Sequence, residues 1–220
     1  MFRPSHVVVC ALALTATACN DTVGNFVSSS ATIRLVNDTD TPLALAVAGV
    51  VDSANTRLVF GEASACVFVN LPATTVPAVT VTNAVTGASI TFTPTLTVGA
   101  NLSVVAFGRA QGDVQFAALD NRFVPATNDA GLRFFNGAPS VGPLFMMRAG
   151  IALTPNILFG AASSFVSVPT DSASITFSNG TSVVLDAGLM AFPLGQNSTV
   201  FVGPPASGTV PLRFFTAQGC

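Results

Sequence analysis

Two hundred and twenty residues, half of them apolar and only 8% charged, are enough to bury a core but leave little to dress the outside of helices. A water-facing helix normally carries Glu, Lys and Arg on its outer face, whereas here Glu62 is the only Glu and Lys is absent. Eight Arg against ten acidic residues leave a net charge of -2 with the Arg spread singly from Arg34 to Arg213, which excludes the basic patch that nucleic acid requires.

The chain begins with Arg3, an apolar run from Val7 to Ala18, and Cys19 preceded by the small residues Ala16-Thr17-Ala18. The run is too short to span a bilayer and reads as the apolar region of a signal peptide. With Cys19 it resembles a lipoprotein signal. That resemblance implies cleavage after residue 18, acylation of Cys19, and a membrane as partner through the lipidated N-terminus. Asn20, in place of Asp, points by the same resemblance to the outer membrane. Residues 19–30 are small and polar and read as a flexible tether.

From residue 31 onward the chain compares with itself. Ile33-Arg34-Leu35-Val36-Asn37 lies over Leu132-Arg133-Phe134-Phe135-Asn136, and the same spacing relates Leu58-Val59-Phe60-Gly61 to Ile157-Leu158-Phe159-Gly160. After a three-residue deletion, Val79-Thr80-Val81-Thr82 matches Ile175-Thr176-Phe177-Ser178, and Gly99-Ala100-Asn101 matches Gly195-Gln196-Asn197. Each copy is a series of short alternating runs broken by Gly and Pro, rich in Thr, Val and Phe, which is the pattern of an antiparallel β-sandwich. In Val79 to Thr82 the valines are expected inside and the threonines outside. The reading is all-β, with a first repeat at 31–120, a linker at 121–130 and a second repeat at 131–220.

These motifs resemble the domain of unknown function 4397 family of bacterial surface lipoproteins. The resemblance is carried by the opening strand ending in Asn37 and Asn136, the Phe-Gly-x-x-Ser turns ending at Ser64 and Ser163, and the Gly-x-Asn turns at Gly99 and Gly195. The family's repeat opens with an Asn-Ala-Ser/Ala-Pro-like segment, which the second copy keeps as Asn136-Gly137-Ala138-Pro139 and from which the first departs with Asn37-Asp38-Thr39-Asp40. The resemblance implies tandem immunoglobulin-like or transthyretin-like sandwiches and brings no established activity.

Cys10 and Cys19 belong to the export signal, so Cys66 and Cys220 remain. In an oxidising compartment they suggest one disulfide tying the end of the second copy to the first, with free thiols or an intermolecular bridge as alternatives.

Chemistry is sparse. His6 is the only His and lies in the signal, which leaves the mature part without imidazole, Lys or Tyr for acid, base or Schiff-base catalysis. No catalytic residue, metal ligand set or cofactor motif is assigned. Asp38 and Asp40 read as turn formers, with a loose calcium site as the alternative. Phe134, Phe135, Phe145, Phe214 and Phe215 form apolar pairs or clusters in alternating strands, where neighbours face opposite ways. One Phe of each adjacent pair must then leave the core of its own repeat, for the joint between repeats or for an exposed patch. The leading expectation is a non-catalytic binding or adhesion module meeting an envelope protein or polysaccharide. A structural spacer is the second reading, and a carboxylate-dependent polysaccharide hydrolase the third.

Overall fold

A computed structural model describes residues 30–47, 50–51, 57–71, 78–109, 113–204 and 212–220. The signal peptide, Cys19 and the tether before Ser30 lie outside the described residues. Among those described, every regular element is a strand. The first half gives β1 (Ser30–Asp38), β2 (Leu43–Val47), β3 (Val50–Val51), β4 (Val67–Asn70), β5 (Val79–Asn83), β6 (Ser89–Phe92), β7 (Asn101–Arg109) and β8 (Asp113–Asp120). The second gives β9 (Asp129–Asn136), β10 (Phe145–Arg148), β11 (Ile151–Ala152), β12 (Val166–Pro169), β13 (Ala173–Ser178), β14 (Val183–Met190), β15 (Asn197–Gly203) and β16 (Arg213–Gln218).

The strands form four sheets of four, in the orders β4-β1-β7-β8 and β3-β2-β5-β6, then β12-β9-β15-β16 and β11-β10-β13-β14. Each half is therefore a β-sandwich, and the second repeats the strand order of the first. Pairing is antiparallel except that β1 runs parallel to β7 and β9 parallel to β15. Those parallel pairs place the first and the penultimate strand of each repeat side by side at the centre of a sheet.

Side-chain alternation explains why the sheets stack. Val79 and Val81 are buried, while Thr80 and Thr82 turn outward and hydrogen-bond across to Thr91 and Ser89. Their counterparts Ile175 and Phe177 are likewise fully buried. One core gathers Ile33, Leu35, Leu45, Val79, Val81 and Val104, and the other Leu132, Phe134, Met146, Ile175, Phe177 and Val200. Each such side chain withdrawn from water stabilises the fold by roughly 2 kcal/mol.

A third buried cluster lies between the sandwiches, where the outer faces of the β1 and β9 sheets meet. It contains Val36, Val105, Phe107, Leu119, Phe135 and Phe201. The two sandwiches stand the same way up. Near the start of β9, Arg133 reaches Asp120 and Asn121 at the matching end of the first sandwich, whereas at the far end Asp38 meets Gly137 and Gly203. The connection expected at 121–130 is part of this joint rather than a free spacer. Asn121 is buried, the Phe123 ring stacks on Phe165 with centroids 5.2 Å apart, and β9 already begins at Asp129.

Candidate functional site

The doubled motifs prove to be folding chemistry. Asn37, next to last in β1, and Asn136, the last residue of β9, are fully buried. The Asn37 amide donates to the carbonyls of Thr41 and Leu58 while its oxygen accepts the Thr39 N–H, and Asn136 does the same with Gly142, Ile157 and Ala138. Ser64 Oγ accepts the Leu35 N–H at 2.9 Å, and Ser163 Oγ accepts that of Phe134 at 3.1 Å. Each hydroxyl satisfies a backbone donor where the ladder breaks off, at a turn entered through a positive-φ glycine, Gly61 or Gly160.

The phenylalanines divide as alternation requires. Phe134 belongs to the second core, packed on Phe177 with centroids 4.9 Å apart, and Phe135 faces the other sandwich, edge-on to Phe107 at 5.3 Å. Phe215 joins the same joint, stacked on Phe201 at 4.8 Å, whereas Phe214 points away and is 36% exposed. Phe145 is half-buried on β10, whose next residue, Met146, enters the core. Of the two places expected for the odd Phe of each pair, the joint takes Phe135 and Phe215, while Phe134 packs in its own core and Phe214 is exposed.

Asp38 and Asp40 are also corrected. The turn is closed by Asn37, and neither carboxylate caps it. Asp38 is wholly buried, both of its oxygens lack a hydrogen-bond partner, and they occupy the places where Cβ atoms would stand at Gly137 and Gly203. Burial pushes its carboxyl well above the usual carboxylate range, opposed by Arg213 and reinforced by Asp40. Asp40 pairs with Arg213, which also donates to Pro204 O and lies over the Phe60 ring at 3.6 Å. A calcium ion has no place here, because Asp38 is packed on glycine backbone and Asp40 is engaged by a cation. Among the described residues no three His, Cys, Asp or Glu side chains gather as metal ligands.

At the opposite end of the joint the buried cation is well supplied with acceptors, although Asn197 Oδ1, packed against Gly131, has no hydrogen-bond partner. Arg133, 5% exposed, donates to Thr199 Oγ1, Asp120 O and Asn121 Oδ1 and lies over Phe165 at 4.3 Å. Burial lowers its pKa to about 10. The matched Arg34 makes a longer bond of 3.3 Å to Ser103. Nearby, Cys66 and Cys220 are joined, with Cα atoms 5.9 Å apart, and Cys220 N–H donates to Asn101 Oδ1. The disulfide read from cysteine counting is thus present within one chain.

An apolar cleft of about 480 Å³ opens in the first sandwich. It lies between the outer strands β6 and β8, whose Phe92 and Phe116 rings face each other at 6.4 Å. Leu43, Val81, Ile90, Val114 and Phe116 form its walls, and Asp40, Thr41, Asn83 and Thr86 its rim. Its origin is a difference in volume between the copies. Val81 occupies the position of Phe177, and Leu35 that of Phe134, so the space those two rings fill in the second sandwich is only partly filled in the first. The cleft was not expected from the sequence, although both substitutions are visible in the aligned repeats, and side-chain volume at matched core positions is the signal that could have pointed to it.

No family model and no curated protein matches the chain. Among solved structures it is similar to the crystal structure of CBMbc, of family CBM26, from Eubacterium rectale Amy13K in complex with maltoheptaose. The identity is 10% and the TM-score 0.27, over 84% of this chain and 96% of that one. A likeness so distant assigns neither a family nor a ligand.

Proposed function

We propose that this chain is a non-catalytic binding lipoprotein of the bacterial cell envelope, held in the outer membrane by acyl groups on Cys19, with the cleft of the first sandwich as its binding site. The occupant is a small uncharged apolar molecule. The cleft has the size of small-ligand pockets, its walls are aliphatic apart from Phe116, and its one charged rim group, Asp40, is already paired. The tandem sandwiches agree with the resemblance to the domain of unknown function 4397 family.

The observation that carries this reading is that Val81, which lines the cleft, stands at the position where the second sandwich buries the Phe177 ring. The cleft's placement suits a tethered receptor. The chain enters β1 at Ser30, and the cleft rim at Asp40 follows the other end of that nine-residue strand, about 26 Å away along it. The test is titration with an uncharged naphthylamine dye whose fluorescence rises in apolar surroundings. One saturable site is expected, lost in Val81→Phe while the protein stays folded. Absence of saturable binding, or full binding by the Val81→Phe protein, overturns the assignment. Anchoring is checked separately by labelled palmitate, which the cells should attach to the natural chain and not to Cys19→Ser.

A further inference from the structure

Among the described residues, the joint between the sandwiches contains a buried carboxylate that hydrophobic docking does not explain. Asp38 ends β1 at 0% exposure with two unbonded oxygens, and an ionised carboxylate left that way costs several kcal/mol. Its walls come mostly from the other sandwich. Gly137 and Gly203 are the only residue type whose backbone leaves room for it, since a Cβ at either would overlap a carboxylate oxygen. The first sandwich contributes the Phe60 ring, which borders Gly203 from the same side as Asp38.

The charged groups around it are already engaged. Arg213 of β16 is held by Asp40, by Pro204 O and by the face of Phe60, and forms no hydrogen bond to Asp38. Asp40, two residues on, brings a like charge. Glu62 of the Phe60 turn is exposed and accepts the Val59 N–H. The ends of β9 and β15 offer only glycine backbone and Val202 O.

We propose that Asp38 is a proton-dependent latch between the two sandwiches, protonated when they are docked and weakening their docking when it ionises. The sign follows from linkage. Apart, the sandwiches return Asp38 to water and to an ordinary carboxylate pKa near ~4, so docking takes up a proton. Docking is at full strength below that value. It weakens by up to about tenfold per pH unit as pH climbs toward the raised value of the docked form. The disulfide and the Arg133 network close the opposite end of the joint, so the latch acts at the end that also carries the cleft rim.

The test compares urea unfolding of the natural protein and of Asp38→Asn between pH 5 and 9. The ratio of their unfolding constants is expected to change steadily with pH, by up to tenfold per unit, because only the natural chain must give up the proton. A ratio constant across the range overturns the proposal. Should Asp38→Asn not fold, carbon-13 spectra of the natural protein decide: Asp38 is expected to be protonated at pH 7, and a midpoint near ~4 sinks the idea. In the same spectra Gly137→Ala, a change in the second sandwich, should move the Asp38 midpoint toward ~4. An unmoved midpoint would show that the second sandwich does not hold the group.

Discussion

Residue 81 is valine in the first sandwich, and its counterpart, residue 177, is phenylalanine in the second. Around this difference the two sandwiches keep the same strand order, the same parallel pair and the same Asn and Ser devices at their turns. A duplicated fold can therefore hold its backbone chemistry constant while one core is filled and the other left open. The same contrast recurs at the joint, where Arg133 is bound by three acceptor groups and Arg34 by one, and where Gly137 stands at the position matching Asp38.

The sharpest break in the symmetry is covalent, since Cys66 occupies the place of Phe165. Cys220→Ser should cost up to about 5 kcal/mol, the chain-entropy limit for a 154-residue loop, read as a lower urea midpoint in unreduced protein. The arginine contrast comes next. Arg133→Met removes the buried donor shared by Thr199 Oγ1, Asp120 O and Asn121 Oδ1 and should cost about 3 kcal/mol, against less than about 1 for Arg34→Met. Equal losses would mean that the two sites are energetically alike. Phe177→Val should cost about 2 kcal/mol and open a second cleft, raising the dye stoichiometry from one site to two. The smallest effects test what the copies share. Ser64→Ala and Ser163→Ala should each cost about 1 kcal/mol, within a few tenths of one another, in thermal unfolding.

Much of this architecture was legible because it depends on local alternation. Val79 to Thr82, the split between Phe134 and Phe135, and the leftover pair Cys66 and Cys220 each followed from neighbours in the sequence or from counting. Asp38 was not legible. On a loop-like stretch it reads as a turn former, and only Gly137 and Gly203, distant in the chain, make it a buried group. The parallel partnership of β1 and β7 is likewise set by tertiary closure, since nothing within either strand specifies a direction for its neighbour. The cleft fell between these cases. Its walls were visible as aligned pairs, but what it holds depends on volumes summed over several strands.

Because β1 runs without interruption from Ser30 to the cleft side, it is also the path by which the two ends can pull on each other. A load taken up at Ser30 and resisted near Asp40 acts along the strand. It shears the ladders to β4 and β7 together instead of peeling bonds one after another. A pull along β1 would load a strand bonded on both sides, and the joint and the Cys66–Cys220 bond would pass part of that load to the second sandwich.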